Sequence, residues 1–64
     1  MPGDRPQPGE VYFEFVAIGR TVKVSAIDAA TGTEVSIIGP ATASQADLRR
    51  LALQNLLARL KAAG

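Results

Sequence analysis

VYFEFVAIGRTVKVSAID, residues 11–28, is the stretch that decides the fold. Its first half, Val11 to Ile18, is rich in aromatic and β-branched residues, and every odd position is apolar. Its second half, from Thr21 to Ile27, alternates through Val22, Val24 and Ala26. A period of two is the mark of a strand with one face buried. Gly19-Arg20 lies between the halves. A two-residue loop with glycine first suits a type II′ hairpin turn, because glycine takes the positive φ that this turn needs. If Ile18 pairs with Thr21, paired numbers sum to 39, so Phe15 faces Val24 and Phe13 faces Ala26.

A third run, Thr33 to Ile38, follows Asp28-Ala-Ala-Thr-Gly32. A left-handed Gly32 can close a four-residue loop there, and the Asp28 side chain can cap it. Pairing Asp28 with Thr33 makes the numbers sum to 61, which sets Ala26 against Val35 and Val24 against Ile37. Both hairpins independently put their apolar residues on one face, and a one-residue slip in either would invert that strand. The expected sheet is a three-stranded antiparallel meander, order 1-2-3.

Gly39-Pro40 is expected to end the third strand, since proline cannot donate to a ladder. Thr42 and Ser44 are both candidate N-caps: Thr42 has Gln45 three residues on, and Ser44 has Asp47. From about Gln45 to Ala62 there is no glycine or proline. At ~100° per residue, Leu48, Ala52, Leu53, Leu56, Leu57 and Leu60 share one arc. A helix with that arc is expected to lie across the face built from Val11, Phe13, Phe15, Val22, Val24, Val35 and Ile37. The fold class is α+β, a two-layer β-β-β-α domain over residues 10–64. Residues 1–9 hold three of the four prolines and nothing apolar beyond Met1, so a disordered tail is expected there.

Composition excludes most chemistry. The chain has 64 residues, 47% hydrophobic and 20% charged. A domain of this size buries only about 60% of its unfolded surface, too little for a large enclosed catalytic cavity. Without cysteine or histidine it lacks disulfides, thiolate and imidazole metal ligands, and the commonest general base. No apolar run could span a bilayer and no export signal opens the chain, so a cytoplasmic location is expected.

The net charge is only +1, far from the bias of a dedicated nucleic-acid binder. Residues 44–64 nevertheless carry +3, from Arg49, Arg50, Arg59 and Lys61 against Asp47, and the rest carries −2. Those four cations are the candidate nucleic-acid contacts. The wheel scatters them: Arg50 and Lys61 join Gln54 on the polar stripe, Arg59 sits at the edge of the apolar arc, and Arg49 falls inside it.

GEVYFEF (9–15), VSAIDAATGTEV (24–35), Gly39-Pro40 and Leu51-Ala52 together resemble a family of short alphaproteobacterial proteins known only as a domain of unknown function. The resemblance covers about Gly9 to Lys61 and implies a bacterial cytoplasmic protein. Its motifs are turn and core residues, so it carries over no catalytic or binding residue. The β-β-β-α order also resembles part of the double-stranded-RNA-binding domain. That family grips phosphates with a Lys-Lys-x-Ala-Lys motif at its final helix, where this chain has Ser44-Gln-Ala-Asp-Leu48.

The outer sheet face holds Glu14, Ser25 and Ser36 in one cross-strand row with Lys23 diagonal to Glu14. A Ser25 nucleophile with a Lys23 base would need an oxyanion hole and an orienting group, and neither is legible; small polar residues on a solvated face explain the row. No catalytic residue, cofactor, metal or small-molecule substrate is expected, nor a membrane partner. Tyr12, Val16, Ile18, Ile27 and Ile38 also point away from the helix, and five apolar residues on so small a sheet approach a contiguous patch. The first and third strands leave unpaired edges with only Glu14 and Glu34 as charges. The leading expectation is a non-enzymatic protein-interaction module, with a protein partner or a second copy in a weak homodimer. The alternative is a nucleic-acid-binding accessory protein acting through the helix cations.

Overall fold

A computed structural model describes residues 10–63. The tail expected at residues 1–9 lies outside the described residues. Strands β1 (Val11–Ile18), β2 (Thr21–Asp28) and β3 (Glu34–Pro40) precede one helix, α1 (Gln45–Ala63). The sheet order is β1-β2-β3, with the anticipated registers: Ile18 faces Thr21 and Phe15 faces Val24, and Val24 faces Ile37 and Ala26 faces Val35.

Both turns form for the anticipated reasons. Gly19 has φ 60° while no non-glycine residue among those described has positive φ, which excludes the I′ turn and fits II′. Gly32 has φ 73° and donates its N–H to the Asp28 carbonyl at 2.8 Å. The Asp28 carboxylate accepts from the Thr31 N–H at 3.0 Å and the Thr31 hydroxyl at 2.7 Å. Such self-bonding by an aspartate closes a loop without help from the rest of the fold.

The third strand ends at Gly39-Pro40, with both residues still inside it. It runs through Pro40, which sits opposite Thr21. The bonds Asp28 N–H to Thr33 O, 2.8 Å, and Ala41 N–H to Arg20 O, 2.9 Å, show that the odd-numbered residues of β3 bond to β2. The missing donor of Pro40 therefore falls on the free edge, where it costs no ladder bond. The β3 edge thus contains a proline.

Ser44 is the helix N-cap. It receives the Asp47 N–H on its hydroxyl at 3.3 Å and the Leu48 N–H on its carbonyl at 3.0 Å. Thr42 belongs to the preceding turn, which the Ala43 N–H to Pro40 O bond closes. Gly39 lies where the helix begins, against the Leu48 side chain.

The buried apolar core among the described residues is Val24, Ala26, Leu48, Ala52 and Leu56. Val11, Phe13, Phe15, Val22, Val35, Ile37, Ala43 and Leu60 pack around it half-buried. The helix lies on the expected face and is centred on β2 and β3, with Val11, Phe13 and Phe15 of β1 packed half-buried at the margin of the core. The reason is width. A helix with its side chains is about 10–12 Å across and strands are about 4.8 Å apart, so one helix covers two strands. Leu57, placed in the apolar arc by the wheel, is accordingly 53% exposed.

Candidate functional site

Among the described residues, β1 is the strand that the helix covers least. Val11, Phe13 and Phe15 alternate onto the helix side of β1 but remain half-buried. Arg49, at the start of the second turn of α1, lays its guanidinium 5.6 Å from the Phe13 ring centroid and 5.9 Å from that of Phe15. Such a cation over two ring faces is held by their quadrupoles, so Arg49 stands in for the second helix that the sheet lacks. Leu53 and Leu57 follow Arg49 at intervals of four, so they climb the same flank of the helix; Leu53 is half-buried and Leu57 mostly open. Phe13 and Phe15 on β1 and Leu53 and Leu57 on that flank of α1 are the partly open apolar side chains at this corner of the two layers.

That corner ends in an open strand edge. The Ala29 N–H bonds to the Glu10 carbonyl at 3.0 Å, so even-numbered residues of β1 bond to β2. The N–H and C=O groups of Val11, Phe13, Phe15 and Ala17 point the other way, and among the described residues β1 has no neighbour on that side. An unpaired row of backbone groups beside an apolar corner is a ready template for another strand.

The outer-face residues singled out by the sequence are placed as expected but not brought together. Tyr12 and Ile27 pair at one end of the sheet. Val16 and Ile38 flank Lys23, and Ile18 follows, at the other. Between the groups runs the polar row Glu14–Ser25–Ser36, so there is no contiguous patch. Ser25 is not solvated, being only 3% exposed and hydrogen-bonded hydroxyl to hydroxyl with Ser36 at 2.9 Å; a central strand residue is walled in by neighbours on both sides.

The candidate nucleic-acid cations are likewise dispersed. Arg49 is committed to the phenylalanine rings, and Arg50 lies 3.7 Å from Asp47 in an exposed pair, a contact that contributes little. Arg59 and Lys61 are exposed in the last turns, where they complement the negative end of the helix dipole. No three His, Cys, Asp or Glu residues among those described are grouped to hold a metal ion. No helix among the described residues is long and apolar enough to cross a membrane.

The sequence missed the β1 flank because Phe13, Phe15, Leu53 and Leu57 all read as core. The signal that would have found it is the width arithmetic: three strands, one helix, one strand left over.

The molecule is thus a two-layer α+β domain whose helix covers two strands of three. The family described as Domain of unknown function (DUF6898) matches residues 8–63, and the chain belongs to it. No curated protein and no solved structure matches the chain.

Proposed function

We propose that the domain is a small protein-interaction module that works by binding rather than by catalysis, through the flank formed by β1 and the Arg49 side of α1. The carrying observation is the coincidence of half-open Phe13 and Phe15 with the unpaired edge of the same strand. Either feature alone is ordinary; together they match strand addition, in which ladder bonds give affinity and alternate side chains give specificity. A chain without cysteine has no need of an oxidising compartment, and the reading places it in the cytoplasm.

The test uses Ala17→Pro. Ala17 is exposed and its N–H faces outward, so proline there removes an edge donor and leaves the β1–β2 ladder intact. Capture of cellular proteins by the full chain is compared with capture by this variant, alongside a salt titration against duplex RNA and DNA. The reading expects capture that Ala17→Pro abolishes. Capture indifferent to Ala17→Pro would overturn it. So would duplex binding that weakens steeply with salt and needs Arg49, Arg50, Arg59 and Lys61, the behaviour of a phosphate-backbone binder.

A further inference from the structure

We infer that the occupant of this flank is a second copy of the chain, paired antiparallel along β1 with the two-fold axis at Phe15. The inference rests on the interaction reading above and gives it a partner. A two-fold contact must be self-complementary, and of the two edges only β1 qualifies. The β3 edge presents Glu34 and Pro40, a charge and a missing donor that both discourage pairing. The β1 edge offers donors and acceptors at Val11, Phe13, Phe15 and Ala17 with no proline, and its one charge, Glu14, can be kept from its copy by the choice of register.

Parity then restricts the register. Outward groups sit on odd residues, so odd must face odd across the axis and paired numbers must sum to an even value. Sums of 28 and 30 give the longest overlaps. A sum of 28 places Glu14 directly opposite Glu14 of the second copy, a like-charge pair that destabilises a sheet. A sum of 30 places Glu14 opposite Val16, Phe15 opposite Phe15, and Tyr12 opposite Ile18. It also sets Phe13 against Ala17, a large side chain against a small one that leaves room for the ring. Aromatic and β-branched cross-strand pairs of this kind stabilise sheets.

The product is a six-stranded sheet with both helices on the same side, in which Phe13 and Phe15 move from an edge to the centre. The paired segment, residues 12–18, spans ~23 Å at ~3.3 Å per residue. A contact of that length belongs with small, weak interfaces, so a dissociation constant on the order of 100 μM is the expected strength.

Sedimentation equilibrium of the full chain from ~5 to ~500 μM tests the pairing. The expected result is a monomer–dimer equilibrium with dimer dominant at the top of the range, and a dissociation constant raised at least ~10-fold by Ala17→Pro. Ile38→Pro, which removes an outward donor from β3, is expected to leave association unchanged. Should Ala17→Pro fail to fold, Ala17→Asp serves instead, setting a carboxylate against Phe13 of the second copy. For the register, the chain has no native cysteine. A mixture of Glu14→Cys and Val16→Cys chains is expected to form the mixed disulfide on oxidation, whereas Glu14→Cys alone stays unlinked. A monomer at every concentration, a dimer untouched by both Ala17 variants, or ready cross-linking of Glu14→Cys alone would overturn the proposal. A monomeric chain whose cellular capture still depends on Ala17 would defeat self-pairing and leave the interaction reading standing.

Discussion

Leu56 and Leu57 are chemically identical neighbours with opposite environments, and replacing each by alanine measures how the helix sits on the sheet. Leu56 is 0% exposed and, with Val24, one of the two largest fully buried side chains, while Leu57 is 53% exposed. Leu56→Ala removes three carbons, about 2.4 kcal/mol at ~0.8 kcal/mol per buried methylene. A residual cavity of ~40 Å³ adds about 1 kcal/mol at ~24 cal/mol per Å³. The expected loss is therefore about 3–4 kcal/mol. A domain of this length has a total stability of only about 3–10 kcal/mol, so the variant should stand near the edge of unfolding. Leu57→Ala loses part of the transfer term, leaves no enclosed void and gains slightly in helix propensity, so it should cost about 1 kcal/mol or less. Urea unfolding followed by circular dichroism at 222 nm, at a concentration low enough to hold the chain monomeric, reads both values. Equal losses, or a greater loss at Leu57, would show that the helix is rotated by one residue's angle and would refute the packing described.

Three further outcomes follow from local contacts. Asp28→Ala should cost about 1.5–3 kcal/mol, because a nearly buried carboxylate closing the β2–β3 loop through Thr31 is a charge-assisted acceptor; the same urea titration reads it. Ser44→Ala should cost about 1 kcal/mol as the loss of an N-cap, whereas Thr42→Ala should stay within ~0.5 kcal/mol, and equal losses would put the cap elsewhere. Gly39→Ala would bring its Cβ to 2.5 Å from Leu48 Cδ2, so overpacking should lower stability by about 1–3 kcal/mol in thermal melts. A neutral Gly39→Ala would mean that Leu48 has room to move.

Much of the fold was legible because two hairpins overdetermine one another. The sums 39 and 61 were fixed by turn residues, yet 39 put Phe13 and Phe15 beside Val24 and Ala26, and 61 put Val35 and Ile37 beside the same two residues. Local chemistry settled the loops: Gly19, Gly32 and Asp28 do what glycine and aspartate do in isolation. What stayed hidden depends on lateral position, which periodicity does not encode. A helical wheel reports the angle at which Leu53 and Leu57 leave the axis, not which two strands lie beneath it. The same limit applied to Pro40: its presence at the end of β3 reads as a stop signal until hydrogen-bond parity shows which side its nitrogen faces. Outer-face residues such as Val16 and Ile38 were identified correctly as outward, and the same registers that gave the Glu14–Ser25–Ser36 row already set Lys23 between them.

Amide hydrogen exchange along β1, measured residue by residue at ~10 μM and again near ~1 mM, tests most directly the claim that this edge is open in the monomer and closed by a second copy. At the low concentration Tyr12, Glu14 and Val16, whose N–H groups bond to β2, should be protected, while Phe13, Phe15 and Ala17 exchange fast. At the high concentration Phe13, Phe15 and Ala17 should slow to match their neighbours, with the outward amides of β3 unchanged. Odd-numbered β1 amides that remain fast at both concentrations, or that are already protected at the lower one, would contradict the account.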